Sequence, residues 1–218
     1  MAVLLANDFP ILSARITFPR VGVWSALVHL DGDDELSGAV VVSSEDASVS
    51  WNATVARGGS FLGRASYVLQ GGAAALGTIV TPKFYQGSPL RLPVQDLLLA
   101  VGEVLSPLSD QESLNTLLPK WAPTEQSAGS LLTQLCSNVD GLIWRALPSG
   151  EVWICKDSFA AFTGDYVLLS EDLEANKADF DLDLPLLFPG VSIEGKNVSR
   201  VIYDLSASQF STRVFYEL

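Results

Sequence analysis

One histidine and two cysteines occur in 218 residues, and only 17% of the chain is charged. Each scarcity excludes something. A lone histidine cannot build a histidine-rich metal centre. His29 also sits in VGVWSALVHL, an apolar alternation that reads as a strand, where no Ser-His-Asp order forms around it. Cys136 and Cys155 lack CxxC spacing and read as small buried apolar groups in a reducing cytoplasm. Basic residues number 13 against 25 acidic ones, a formal net charge of −12. A chain so poor in cations is not built to wrap a nucleic-acid backbone. Asp, Gly or Ser interrupts each long apolar run within about ten residues, which leaves no bilayer-spanning segment and no membrane anchoring. The opening MAVLLANDFPILSARITF lacks a basic stretch and brings in Asp8 and Pro10 too early for a secretion signal.

What is present is apolar material, 48% of the residues, enough for a substantial core. Few charges and many apolar residues also suit a chain whose surface is covered by neighbours. Residues 11–85 read as short strands. Trp24, Ala26, Val28 and Leu30 alternate onto one face, with His29 on the other. Val49, Trp51, Ala53 and Val55 do the same. Arg57-Gly58-Gly59-Ser60 reads as a turn, and Gly71-Gly72 closes the next strand.

From Pro93 the period becomes helical, through Val94, Leu97, Leu98, Val101 and Leu105. Ser109 and Glu112 have capping-box spacing for a short helix that Pro119 stops. Ser127 is a good N-cap for a helix with Leu131, Leu132, Leu135, Cys136 and Val139 on one stripe, ended by Gly141. A hairpin follows, with a Pro148-Ser149-Gly150 turn, and the helix is expected to pack on its Trp144 and Trp153. From about Asp165 the chain returns to strands, with Phe210, Thr212, Val214 and Tyr216 on one face. The expected fold is mainly β with an α+β insertion. It divides into an N-terminal barrel module (1–88), a middle unit (89–162) and a C-terminal β module (163–218) that completes or pairs with the first.

No residue is assigned a catalytic, cofactor-binding or metal role. DGDDE (31–35) lacks the ligand spacing of an EF-hand and reads as a hairpin tip. Asp179, Asp181 and Asp183 alternate and read as a wet strand face rather than a carboxylate pair in a cleft. GGAAALG (71–77) lacks the spacing of a phosphate loop. The sequons at Asn52 and Asn197 carry little weight without secretion.

Three passages share a likeness. They are FPRVGVWSALVHLDG (18–32), the pattern from Trp121 through Ser127–Gly129, Leu132, Leu135, Trp144 and Arg145 to Ile154, and the closing run from Pro189-Gly190 through Gly195 and Val198 to Val214. In this order the chain resembles the baseplate hub proteins of contractile-tailed bacteriophages, the late control protein D-like group. The resemblance implies tube-like β-barrel modules flanking the helix-hairpin unit. It implies a homotrimer that adapts a threefold spike to a sixfold tail tube. The implied partners are the tail spike protein, a tail tube or tube-initiator protein and baseplate wedge proteins. DNA would pass through the lumen without specific binding, and the acidic segments would be solvent-facing tips or lumen-lining positions. The chain would act in the virion after assembly in the host cytoplasm. Two other readings compete: a tail-associated cell-wall hydrolase, and a carbohydrate-binding β-module stacking sugars on Trp24, Trp51, Trp144 or Trp153.

Overall fold

The computed structural model describes residues 4–32, 35–44, 48–81, 83–181, 187–206 and 210–217. Its N-terminal third is a closed six-stranded antiparallel barrel of β1 (Leu4–Ala6), β2 (Phe9–Pro19), β3 (Ser25–Asp31), β4 (Ala39–Ser44), β5 (Ser50–Phe61) and β6 (Arg64–Gly71). The order β1-β4-β5-β6-β3-β2 closes because β1 pairs with both β4 and β2. Alternation decides which side chains face inward. Trp24, Ala26, Val28 and Leu30 are all buried, and so are Val49, Trp51 and Ala53.

The middle of the chain holds the helices. β7 (Ile79–Val80) and β8 (Ser88–Pro89) lead to α1 (Arg91–Ala100) and α2 (Gln111–Leu114). β9 (Leu117–Leu118) and β10 (Gln126–Ser127) precede α3 (Ala128–Cys136), and β11 (Leu142–Ala146) and β12 (Val152–Lys156) form the hairpin. These elements enclose a second core around Leu98, Leu114, Leu131, Leu132, Leu135 and Trp144. Ser127 caps α3 as its side-chain oxygen accepts from the Ser130 N–H, at 3.3 Å.

The remaining strands are β13 (Ala160–Ala161), β14 (Val167–Asp172), β15 (Lys177–Asp181), β16 (Val191–Ile193), β17 (Lys196–Leu205) and β18 (Phe210–Tyr216). They extend the barrel sheet through β2. The β2 edge away from β3 is shared, pairing with β1 at Phe9 and Pro10 and with β17 over Ala14–Pro19. The sheet continues β17-β18-β15-β14. Phe18 of β2 therefore meets aromatic rings from both sides, Trp24 and Trp51 from the barrel and Phe188 and Tyr203 from the C-terminal strands.

Several local expectations fail. Residues 57–60 do not turn. They continue β5 past a bulge between Val55 and Arg57, and the turn falls at Leu62-Gly63. Gly58 permits this with φ +143 and no side chain, since a Cβ there would overlap Tyr67. The cap of α2 is Asp110, not Ser109, because the buried Ser109 hydroxyl is already taken by the Ile154 N–H at 3.1 Å. That helix ends at Leu114, before Pro119. α1 stops at Ala100, short of Leu105, as Gly102 turns the chain with φ +72. α3 stops at Cys136, and Gly141 with φ +70 serves the turn into β11 instead. Finally, Trp144 pairs with Ile154 and Trp153 with Arg145, so the two tryptophans point to opposite faces. Only Trp144 faces α3, where its indole N–H donates to Thr133 Oγ1 at 2.9 Å.

Two substitutions test this packing. Leu132 is wholly buried in the second core, and Leu132→Ala should cost about 2–5 kcal/mol in denaturant unfolding. A Cβ at Gly71 would overlap the Trp24 indole, so Gly71→Ala should cost about 1–3 kcal/mol through overpacking. Wild-type midpoints for both variants would show that these sites are loosely packed.

Candidate assembly interface and the charged junction behind it

The barrel, the hairpin and the C-terminal sheet meet at one buried carboxylate. Arg20 follows β2, Arg145 lies in β11, Asp157 follows β12 and Glu217 follows β18. The Asp157 side chain is 1% exposed. Arg20 Nε donates to its Oδ2 at 2.7 Å, and Arg145 Nη2 donates to its Oδ1 at 2.6 Å. Arg20 Nη1 also reaches Glu217 Oε1 at 2.5 Å, and Arg145 Nη1 reaches the Pro189 carbonyl at 2.9 Å. Two cations and two anions balance. On the hairpin face away from α3, Arg145 lies over the Trp153 ring at 4.6 Å. Gly190, at φ +91, leaves the space that the Asp157 carboxylate fills.

Backbone bonds reinforce the junction. The Gly22 N–H donates to the Trp144 carbonyl at 3.0 Å, and the Ala146 N–H donates to the Gly22 carbonyl at 2.9 Å. The Pro148-Ser149-Gly150 turn docks on the barrel rim. Trp24 Nε1 donates to the Leu147 carbonyl at 3.1 Å, and Asn52 donates from its backbone to Pro148 at 2.7 Å and from its side chain to Ser149 at 2.9 Å. Beside the junction lies an apolar pocket of about 220 Å³ walled by Phe18, Trp153, Phe188 and prolines.

Two further carboxylates are bound within the chain. The Gly-Ala loop at 71–77 does form an anion-holding turn, but the chain fills it itself. The buried Glu103 carboxylate accepts the Ala73 and Ala75 N–H groups at 3.1 and 3.2 Å. Asp96 accepts from the Tyr85 hydroxyl at 2.7 Å and from Lys83 at 2.9 Å. The Tyr85 bond, with Lys83 beside it, holds Asp96 below the usual carboxylate range, while burial raises Tyr85. At neutral pH the pair is therefore a carboxylate accepting from a phenol. Burial pushes both Cys136 and Cys155 up to about 12, so neither thiol is a ready nucleophile.

The remaining residues weighed in the sequence are scattered. His29 is exposed on β3, in register with Ser13 and Ser66. Trp24, Trp51 and Trp144 are buried, so none is a sugar-stacking platform. On β15, expected as a wet strand face, Asp179 is part-exposed and paired with Arg213 at 2.7 Å. Asp181 is exposed, while Asp183, Asp33 and Asp34 lie outside the described residues. No described helix is long and apolar enough to cross a membrane.

What distinguishes the surface is exposed apolar bulk. Phe61, Leu62, Leu99, Leu108 and Leu173 are each at least 70% exposed. Compared by sequence, the chain matches no protein-family model and no curated relative. Compared by architecture, it matches the 43 kDa tail protein of prophage MuSo2 from Shewanella oneidensis, with a TM-score of 0.71 at 8% identity, over 99% of this chain and 97% of that one. A tail protein from Neisseria meningitidis MC58 gives 0.69 at 13% identity, over 99% and 96%. This is a phage-tail fold. The E. coli c3393 protein shares it, with a TM-score of 0.69 at 11% identity over 99% of this chain and 77% of that one. That protein is a component of the type VI secretion system with structural similarity to the T4 tail proteins gp27 and gp5. Because the match runs over 99% of the chain, the barrel, the helix-hairpin unit and the C-terminal sheet all belong to the tail fold.

The junction makes a direct prediction. Asp157→Ala leaves two guanidinium groups facing each other without their shared anion, and should cost about 3–5 kcal/mol. Urea unfolding followed by tryptophan fluorescence measures it. A loss below about 1 kcal/mol would mean that water replaces the carboxylate and that the junction does not hold the parts together.

Proposed function

We propose that this chain is a structural, non-enzymatic subunit of the baseplate hub of a contractile-tailed phage. The whole-chain likeness to phage tail proteins carries the reading. In it, the chain is a homotrimer that adapts a threefold spike to the sixfold tail tube. Each copy contributes a closed barrel and the sheet fused to it through β2, so three copies offer six β elements to the tube. Its partners are the tail spike protein, the tail tube or tube-initiator protein and the baseplate wedge proteins. Its place is the virion tail, after assembly in the host cytoplasm. The exposed apolar side chains support burial against such neighbours, since an isolated protein gains nothing by presenting them to water. The net charge of −12 supports a lumen through which DNA slides, because each bound phosphate would add a salt-dependent hold.

Light scattering over a concentration series, alone and with the spike protein, tests the reading. A mass of three chains is expected, at the latest when the spike is added. A monomer under both conditions would contradict it.

A further inference from the structure

We infer that the subunits join by strand addition, with the hairpin at residues 57–64 of one copy docking on the free edge of β14 in the next. This rests on the ring reading above and names its contact. β14 ends the sheet order, and among the described residues its outer edge is unpaired. All six of its residues are exposed, although Val167, Leu168 and Leu169 are apolar. Its sequence, VLLSED, contains neither the lysine nor the proline that normally protects such an edge. The bulge between Leu168 and Ser170 and the acidic Glu171 and Asp172 protect only the far half, so the Val167 end, apolar and exposed on both faces, is a template for another strand.

The hairpin has the complementary features. β4 pairs with β5 only as far as Thr54, so the outer edge of residues 57–61 is also free among the described residues. At its tip stand Phe61 and Leu62, 77% and 86% exposed. Arg57 and Arg64 flank the tip and are exposed, giving this segment a charge opposite to that of the whole chain. Near the Val167 end of β14 lie Asp165 and Asp181, both exposed and, among the described residues, in no ion pair with a lysine or arginine. Asp181 is the register partner of Val167. The occupant that fits the edge is therefore a second copy of this chain. The two surfaces lie on different parts of the molecule, since β3, β2, β17, β18 and β15 separate β6 from β14 in the sheet. The contact is thus head-to-tail, the kind that closes a ring.

Charge exchange tests this in the full chain. Arg57→Glu with Arg64→Glu should raise the concentration needed for the oligomer at least tenfold, while its unfolding midpoint stays that of the wild type. Adding Asp165→Lys and Asp181→Lys should restore assembly. Mixing a Ser60→Cys chain with a Ser170→Cys chain should give an oxidised heterodimer more readily than either chain alone. An oligomer that forms at unchanged concentration in the arginine variant, or a Ser60→Cys and Ser170→Cys mixture that assembles without forming the disulfide between the two chains, would overturn the strand addition and leave the hub reading standing. A wild-type chain that stays monomeric even with the spike protein would overturn both.

Discussion

The Asp157 carboxylate has two oxygens, and each is held by an arginine from a different part of the chain. The arrangement sets how the three parts meet. A carboxylate taken out of water loses several kcal/mol of hydration, which only close, well-directed cations offset. Arg20 brings the end of the barrel strand β2, Arg145 brings the hairpin, and Glu217 and the Pro189 carbonyl bring the C-terminal segment. Moving either arginine by a few ångströms leaves one oxygen of the buried carboxylate without its cation. The barrel and the second sheet already share β2; the charged junction fixes the hairpin unit against both.

Such fixation is what a ring subunit requires. Its neighbours meet it at surfaces far apart in the fold, and a small error in the angle between those surfaces would prevent closure. Three carboxylates are held within the chain. Glu103 fills the loop at 71–77, Asp157 fills the space beside Gly190, and Asp96 is held by Tyr85 and Lys83. Exposed apolar tips, and strand edges that are free among the described residues, face outward.

Much of the strand and helix pattern was legible because it is local. The buried face of Trp24, Ala26, Val28 and Leu30 follows from alternation alone, and the Ser127 cap from one residue type before an apolar stripe. The opposite faces of Trp144 and Trp153 were also within reach. A turn centred on Ser149 sets Arg145 opposite Trp153 and leaves Trp144 opposite Ile154. The charged junction was not legible. Residues 20, 145, 157 and 217 have no shared spacing, and only the folded topology brings them together. The same holds for Glu103, whose partners lie about 30 residues earlier in a loop that looked like a bare Gly-Ala run. Asp110 displaced Ser109 as a cap because Ser109 answers to a long-range partner at Ile154, which helix-capping patterns do not contain.

In the proposed hub, this fold works as one member of a closed ring around a channel. Electron cryomicroscopy of the chain assembled with its spike protein tests that claim most directly. The expected particle has three copies around a threefold axis, β strands facing an open channel, and each copy touching the next through different surfaces. A single copy on the spike, or a particle without a channel, would contradict it.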